Sequence, residues 1–296
     1  MTKKTQTINP LQIPVPQFHK LLLGSVAPRP IAFASTIDRE GKPNLSPFSF
    51  FNAFGVNPST IIFSPSRRGR DNTTKNTFEN LKEVAEVVIN VVTYEMVEQA
   101  NLASSDYPKG TNEFVKAGFT PIESERVKPF RVNESPVQFE CKVRQIIETG
   151  DQGGAANLII CEVLLMHVDE NVLDEQGMID PDKIDLVGRM GGPWYCRTSG
   201  DSKFKIAKPG EKLGIGIDAL PEQLRHSSVL TGNNLAKLGG LQSLPASTEV
   251  DAARLEPEVK DVYDHSEDTL TALHSYAKKL IEKGEVYQAM KVLLTY

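Results

Sequence analysis

The 296-residue sequence has few of the residues that form metal sites or disulfides. Its three cysteines, Cys141, Cys161 and Cys196, are odd in number and show no C-x-x-C spacing. This pattern favours buried thiols in a reducing compartment over a disulfide framework. The five histidines are scattered, with no H-E-x-x-H pattern and no His/Cys cluster. We therefore predict no metal site.

Long apolar segments are also missing. The longest apolar run, residues 156–168, is interrupted by Glu162. Residues 1–20 contain lysines but lack the apolar core of a signal peptide. We expect neither a signal peptide nor a membrane span, and hence a cytoplasmic protein.

The chain has no excess of positive charge. Its 33 Lys and Arg residues against 38 Asp and Glu residues give a net charge of −5. Such a surface repels nucleic acid overall, so nucleic acid is not an expected partner. With 40% hydrophobic and 24% charged residues, the chain is typical of a globular protein that forms one large domain or two smaller ones.

The first two thirds of the chain favour β-strands. Apolar runs rich in β-branched residues and bounded by proline or glycine occur at 29–38, 59–65, 84–92, 136–147 and 156–168. The last two are joined by the Gly-rich segment 148–155, which predicts a hairpin. Within 137–145 apolar and polar residues alternate, as in a half-buried strand. Because no helices are regularly interposed, we predict antiparallel pairing.

One helix start is also predicted in this region. Asn76, followed three residues later by Glu79, resembles a capping box. Phe78, Leu81 and Ala85 then recur at the spacing of one helix face. The first N–H groups of a helix lack internal partners, and the helix dipole favours negative charge there.

A basic loop leads directly into this helix start. Its cations are Arg67, Arg68, Arg70 and Lys75, and hydroxyl groups come from Ser64, Ser66, Thr73, Thr74 and Thr77. Forked guanidinium donors, a lysine and hydroxyls before free N–H groups suit a terminal phosphate. The alternative is a solvated loop followed by an ordinary helix cap.

The segment 44–58 is rich in aromatic residues. It contains Phe48, Phe50, Phe51 and Phe54 among small polar residues and prolines. This composition suits contact with a flat ring that has heteroatoms on its edge. We assign Phe50 and Phe54 to the core, and Ser46, Phe48, Ser49 and Asn52 to the ring.

The last third has a different composition, with many prolines, glycines and charged residues. Residues 268–296 predict helices, in which Leu270, Leu273 and Ala277 share a face with Leu280 and Ile281. We interpret 199–296 as loops and helices packed on the β core or on a partner subunit. The modest apolar content argues against a fully independent second domain.

Four stretches together resemble the flavin reductase-like family of FMN-binding split barrels, which includes flavoredoxin-like proteins. They are residues 27–52, 61–68, 75–77 and 188–197, in the order and at spacings similar to those of the family. The similarity covers roughly residues 15–198, with 199–296 as an extension. The family usually carries Lys-Asp-Thr where this chain has Lys75, Asn76 and Thr77.

This resemblance implies a mainly β, Greek-key FMN-binding split barrel with peripheral helices and a helical C-terminal extension. It implies a homodimer that binds one FMN per subunit. The ring would lie along Ser46, Pro47, Phe48, Ser49 and Asn52, and the phosphate would be held among Ser64, Arg67, Arg68, Lys75, Asn76 and Thr77. Which of the two adjacent arginines contacts the phosphate is left open. Arg189 and Tyr195 would lie near the ring or its entrance, as substrate-binding residues.

The implied function is that of an FMN-dependent oxidoreductase that takes electrons from NAD(P)H and passes them to flavin or another acceptor. Because the flavin performs the redox chemistry, no side chain is assigned as catalytic. Gly214, Gly216 and Ala219 match G-x-G-x-x-A, but Pro221 follows and no βαβ unit surrounds them, so we predict no dinucleotide-binding fold. A noncatalytic FMN electron carrier or flavin store is the main alternative. A module that binds an anionic partner through the basic loop is a third.

Overall fold

A computed structural model describes residues 4–206 and 213–296 of the chain. The chain forms two compact units, Met1–Phe204 and Lys205–Tyr296. The division expected after residue 198 thus lies a few residues before the observed one.

Antiparallel strands dominate the first unit. In chain order they are β1 (Ala32–Ile37), β2 (Pro43–Phe48), β3 (Phe51–Val56), β4 (Ser59–Phe63), β5 (Glu86–Asn90), β6 (Pro121–Ile122), β7 (Arg131–Val132), β8 (Val137–Glu148), β9 (Asn157–Val168), β10 (Val187–Arg189) and β11 (Tyr195–Arg197). A seven-stranded sheet has the order β2-β1-β5-β8-β9-β4-β3, and two small sheets pair β6 with β7 and β10 with β11. Every pair in the large sheet is antiparallel, as predicted.

The large sheet is curled but is not closed into a barrel by hydrogen bonds among its described strands. Its two edges are β2 and β3. In a flat sheet these edges would lie about 29 Å apart, since neighbouring strands are about 4.8 Å apart. However, β2 ends at Phe48 and β3 begins at Phe51, and three Cα steps span at most about 11 Å. The sheet therefore curls until its edges approach at this end, while the Greek-key description stays a prediction.

The central strands β8 and β9 form the predicted hairpin across residues 149–156. The predicted alternation along β8 is wrong in part, because the polar residues Gln138 and Glu140 are buried, whereas the apolar Phe139 between them is only half-buried. The Glu140 carboxylate accepts hydrogen bonds from the backbone N–H groups of Glu125 and Arg126, and contacts His167 Nε2 at 2.6 Å. Both faces of the strand are thus covered.

The helices of the first unit are α1 (Val15–Ser25), α2 (Asn76–Glu83), α3 (Val97–Leu102), α4 (Glu113–Ala117) and α5 (Pro181–Ile184). Short 3-10 turns occur at Pro10–Gln12, Glu170–Val172 and Gly200–Ser202. The predicted helix at residue 76 is confirmed, and Phe78 and Leu81 enter the sheet core. Ala85 lies beyond its end and is exposed.

The predicted cap of α2 is wrong. Lys75 is the N-cap residue and makes no side-chain cap, whereas Asn76 is already the first helical residue. The Glu79 carboxylate instead contacts the Thr74 hydroxyl. Because no side chain caps the helix, its first backbone N–H groups stay available.

The assignment of the phenylalanines in 44–58 is also corrected. Phe50 and Phe54 are 38% and 64% exposed, so neither belongs to the core of the chain. Phe48 is buried, with its ring centroid 5.7 Å from that of Phe63. The reason is the sheet order: β3 is an edge strand whose residues from Asn52 to Val56 are exposed, and Phe50 lies in the short connection between β2 and β3.

The second unit is helical. It comprises α6 (Glu222–Arg225), α7 (Gly232–Gly239), α8 (Ser247–Arg254), α9 (Pro257–His265), α10 (Thr269–Lys283) and α11 (Val286–Leu293). Of the predicted face, Leu273, Ala277, Leu280 and Ile281 are buried in a core that belongs to this unit. Leu270 is only half-buried and lies outside that core. The modest apolar content was therefore a poor guide, because these residues are concentrated on facing helices. Whether this unit contacts a partner subunit stays a prediction.

The glycines of the rejected dinucleotide motif have a packing role in this unit. The N–H groups of Ile215 and Gly216 donate to the carbonyls of Leu241 and Gly239. A Cβ on Gly214 would lie 2.5 Å from the Gly239 oxygen, so only glycine permits this approach. No helix among the described residues is long and apolar enough to cross a membrane.

Candidate functional site

A cavity of about 20 Å³ lies where the basic loop meets the N-terminus of α2. Its walls come from β2, the residues at the start of α2, the segment after α3 and the start of α4. The lining residues are Asn44, Ser46, Arg68, Lys75, Asn76, Thr77, Ala103, Ser104, Ser105, Asp106, Tyr107 and Glu113. The fold thus brings together five of the predicted cofactor residues: Ser46, Arg68, Lys75, Asn76 and Thr77.

Positive charge converges on one wall of this cavity. Arg68 Nε and Lys75 Nζ lie 3.1 and 3.2 Å from Oδ1 of Asp106. Arg70 Nη2 lies 2.9 Å from Oδ2 of the same carboxylate. Partial burial raises the pKa of Asp106, but hydrogen bonds to Lys75 and Arg68 and their positive charges outweigh it and hold the pKa below its ordinary value. Asp106 is therefore ionised at neutral pH.

The start of α2 adds backbone donors to the cations. Within the described part of the chain, the N–H groups of Asn76 and Thr77 have no hydrogen-bond partner. Both residues line the cavity, and Thr77 is only 1% exposed. Unpartnered N–H groups at a helix N-terminus, beside a lysine and an arginine, are suited to an anion.

The Thr77 hydroxyl is held by a buried polar network. Asn44 Nδ2 donates to Thr77 Oγ1 at 2.9 Å, and Asn80 Nδ2 donates to Thr36 Oγ1 at 3.2 Å. Because Thr77 accepts from Asn44, its own hydroxyl hydrogen remains available to donate.

A buried carboxyl forms another part of the wall. Glu113 Oε2 accepts a hydrogen bond from the Leu45 N–H at 3.0 Å. Burial raises the pKa of Glu113 above its ordinary value, against the lowering effect of backbone hydrogen bonds from Leu45 and from Glu113 itself.

The structure separates the two adjacent arginines. Arg68 lines the cavity, whereas Arg67 points to Asn72, with its Nε 2.8 Å from Oδ1 and its Nη2 2.9 Å from the backbone oxygen. The Arg67 backbone pairs with Gly154 and Ala155 of the β8–β9 connection. Arg67 thus holds the loop, and Arg68 is the arginine in position for a ligand.

Ser64 is likewise placed in the framework of the loop. It is buried, and its hydroxyl accepts from the Asn157 N–H at 3.1 Å and contacts the Ser66 hydroxyl at 3.2 Å. The hydrogen bond from Asn157 connects the loop to β9. A cofactor-binding role for Ser64 stays a prediction.

The remaining predicted ring residues do not line this cavity. Pro47 is half-buried in β2, and Phe48 packs into the core. The Ser49 hydroxyl lies 3.5 Å from Arg29 Nε. Asn52 is exposed on β3, and its Oδ1 accepts from the Ala53 N–H. Contact of these residues with a ring stays a prediction.

Arg29 is a buried cation that the predicted site did not include. Its guanidinium donates to the carbonyls of Leu23 and Met190 at 2.8 and 2.9 Å, and also to that of Val26. Its Nε reaches Ser49, so Arg29 joins the end of β2 to the segment after β10. In the sequence, only its place in the Arg-Pro motif of residues 29 and 30 could have pointed to Arg29 as a site residue.

Arg189 and Tyr195 contact each other, and their predicted place near a ring or its entrance stays a prediction. They face each other across the β10–β11 pair, with Arg189 Cζ 4.4 Å from the Tyr195 ring centroid. The Arg189 backbone also pairs with that of Arg29. Burial first, and then the positive charge of Arg189, lower the pKa of Arg29. The two arginines thus form an electropositive region beside Ser49.

Several lining residues were missed in the sequence: Asn44, Ser104, Ser105, Asp106, Tyr107 and Glu113. Asp106 is 31 positions from Lys75, so no local spacing relates them. The hydroxyl-rich stretch at 104–106 was the only signal, and it is equally typical of a turn.

Comparison with known proteins agrees with the fold of the first unit. Residues 23–185 match the model of the flavin reductase like domain. An uncharacterized protein of Aquifex aeolicus is 39% identical over 188 residues, covering 64% of this chain and 93% of that protein.

Two solved structures are similar over the same region. Nitrilotriacetate monooxygenase component B from Bacillus cereus has a TM-score of 0.64 at 29% identity, covering 69% of this chain and 100% of that one. A split barrel domain protein from Shewanella frigidimarina has a TM-score of 0.56 at 25% identity, covering 67% of this chain and 96% of that one. The chain therefore belongs to the flavin reductase-like family.

Proposed function

We propose that this protein binds FMN and acts as an NAD(P)H-dependent oxidoreductase that passes electrons to flavin or another acceptor. The observation that carries the proposal is the convergence of Arg68, Lys75 and the unpartnered N–H groups of Asn76 and Thr77 on one cavity. These are the donor types that hold a terminal phosphate.

The cluster has a net positive charge, which suits an anionic ligand. The three cations Arg68, Arg70 and Lys75 outnumber the two carboxylates paired with them, Asp71 and Asp106. A phosphate monoester carries about −1.5 to −2 at pH 7.

When bound, FMN would supply an isoalloxazine that accepts a hydride and passes electrons on singly or in pairs. The residues of this chain would position it. Arg68, Lys75 and Thr77 would hold the phosphate, and Ser46 lies at the edge of the same cavity, on β2. The continuation of β2 through Pro47, Phe48 and Ser49 towards Asn52 would then follow the ring.

The pyridine nucleotide would be held near Arg189 and Tyr195. These two side chains are stacked and partly exposed, next to the buried cation Arg29. Arginines are suited to the phosphates of NADH or NADPH, and a tyrosine ring is suited to stacking. No dinucleotide-binding fold surrounds Gly214 and Gly216 in the described structure. We therefore expect weak, transient binding of the nucleotide.

We further propose a homodimer. Apolar side chains are exposed on β3 and β9: Phe54 (64%), Leu164 (40%) and Met166 (43%). These two strands flank β4 in the sheet. Exposed apolar side chains grouped in one region of a sheet are typical of a protein interface. A second copy of the chain would cover it.

Anaerobic mixing of the FMN-loaded protein with NADH or NADPH tests the enzymatic part. We expect either nucleotide to bleach the flavin absorbance. If dithionite bleaches the flavin and neither nucleotide does, the protein is an electron carrier or a flavin store instead.

A further inference from the structure

The cations of the basic loop already have an anion, which is Asp106. Its two carboxylate oxygens contact Arg68, Arg70 and Lys75 at 3.1, 2.9 and 3.2 Å. Two of these cations, Arg68 and Lys75, line the cavity. Asp106 therefore uses the side-chain donors that a phosphate would need.

Residues 104–107, which carry Asp106, form one wall of the cavity and are held mainly by local hydrogen bonds. Their backbone and hydroxyl hydrogen bonds are local, to Asn101, Leu102 and Ser105. Among the residues that the structure describes, their polar links to the basic loop all come from the Asp106 carboxylate. Once that carboxylate is released, no other hydrogen bond holds the segment against the loop.

We propose that Asp106 is an internal competitor of the ligand phosphate. Its carboxylate neutralises Arg68 and Lys75 when no phosphate is present, and it leaves them, with residues 104–107, when a phosphate binds. This inference rests on the proposed FMN site. Its consequence is that Asp106 weakens the binding of phosphate-bearing flavins and has little effect on riboflavin, which has no phosphate.

The test is equilibrium titration of FMN and riboflavin, followed by quenching of flavin fluorescence, with the wild type and with Asp106→Asn. The asparagine keeps the size of the side chain and removes the charge. We expect Asp106→Asn to bind FMN about 3- to 10-fold more tightly, as the loss of partly exposed ion pairs predicts. Riboflavin affinity should change less than 2-fold.

Two further variants serve as controls. Asp106→Glu keeps the charge and should bind FMN as weakly as the wild type. Asp71→Asn removes an equal charge from the same loop, beside Arg70, at a residue that does not line the cavity. It should change FMN affinity less than Asp106→Asn does.

The outcomes separate this inference from the proposed function. If the wild type does not prefer FMN to riboflavin, the proposed phosphate site itself is wrong. If it prefers FMN but Asp106→Asn binds FMN equally or more weakly, Asp106 belongs to the bound site and the competition is refuted. If Asp71→Asn gains as much FMN affinity as Asp106→Asn, the overall charge of the loop explains the effect, and the proposal is also overturned.

Discussion

Asn44 Nδ2 lies 2.9 Å from Thr77 Oγ1, which joins strand β2 to the first turn of α2 inside the protein. Both residues are buried, and both line the cavity. Because Asn44 donates to the Thr77 oxygen, the hydroxyl hydrogen of Thr77 points elsewhere, and the cavity is where a ligand oxygen would accept it.

Asn44→Ala should weaken FMN binding several-fold more than riboflavin binding, since Thr77 would lose its orientation. The variant should also lose about 1 to 3 kcal/mol of unfolding free energy, the usual cost of a broken buried hydrogen bond. Asn80→Ala is the matched control, because Asn80 belongs to the same network but does not line the cavity. If both variants change the ratio of FMN affinity to riboflavin affinity equally, the network acts only through the stability of the protein.

The two adjacent arginines should differ in their effect on FMN. Arg68→Ala and Lys75→Ala should each weaken FMN about 10- to 100-fold, the value of a charge-assisted hydrogen bond, and should spare riboflavin. Arg67→Ala should have a smaller effect on FMN and a larger effect on stability, since Arg67 bonds Asn72 within the loop. A reversed ranking of Arg67 and Arg68 in the titration would show that the loop rearranges around the ligand.

Arg189→Ala should slow reduction of the bound flavin by NADH or NADPH while leaving reduction by dithionite unchanged. The expected change is a higher KM at a similar kcat, because the arginine is proposed to bind the nucleotide and not to react. Stopped-flow reduction at several nucleotide concentrations measures both parameters. Arg197→Ala is a suitable control. Arg197 lies on β11 of the same small sheet, but its side chain stacks on Tyr94 and pairs with Asp185. Equal behaviour of the two variants would remove Arg189 from the substrate site.

The oligomeric state should depend on β3 and β9. Light scattering at micromolar concentration should give twice the mass of the chain, and Phe54→Lys combined with Met166→Lys should reduce it to that of one chain. Val115→Lys is the control, because Val115 is 76% exposed on α4, away from these strands. A wild type that is monomeric and still retains FMN would contradict the dimer.

The second unit should become less stable as the pH falls. Ser227 Oγ accepts from the N–H groups of Val229 and Leu230, so its hydrogen is donated to His274 Nδ1 at 2.7 Å. Burial lowers the pKa of His274, although the nearby Asp268 raises it. Since the unfolded chain binds a proton at higher pH than the folded one, this stability is complete above about pH 6.5 and falls as the pH drops below it.

Hydrogen exchange of the full chain at pH 7.5 and 5.5, corrected for the intrinsic rate, measures this effect. Peptides from 227–230 and from α10 should lose protection at the lower pH, and the loss should be smaller in His274→Gln. Unchanged protection in the wild type would mean that the Ser227–His274 contact tolerates the proton.

Much of the first unit could be predicted from local sequence, because its strands are β-branched runs that end at prolines or glycines. The hairpin of β8 and β9 has a Gly-rich connection, and the helix at Asn76 has apolar residues at helical spacing. The exposure of Phe54 on β3, and of Phe50 in the connection before it, could not be predicted, because pairings with distant strands place β3 at the sheet edge. Local composition does not contain that information.

The candidate site was predictable in part. Arg68, Lys75, Asn76 and Thr77 share one loop and one helix start, and Ser46 belongs to the aromatic-rich segment, whereas Asp106 and Glu113 reach the cavity from a stretch without a motif. The core of the second unit was missed for a related reason. Its apolar residues are spread over several short helices, and only their packing concentrates them.

The most direct test of the phosphate site is the affinity of the wild-type protein for FMN relative to riboflavin, measured by fluorescence quenching at low and moderate salt. The account predicts that FMN binds at least about 10-fold more tightly, with a preference that declines as salt screens the partly exposed cations. Equal affinity for the two flavins, or no uptake of FMN at all, would contradict it.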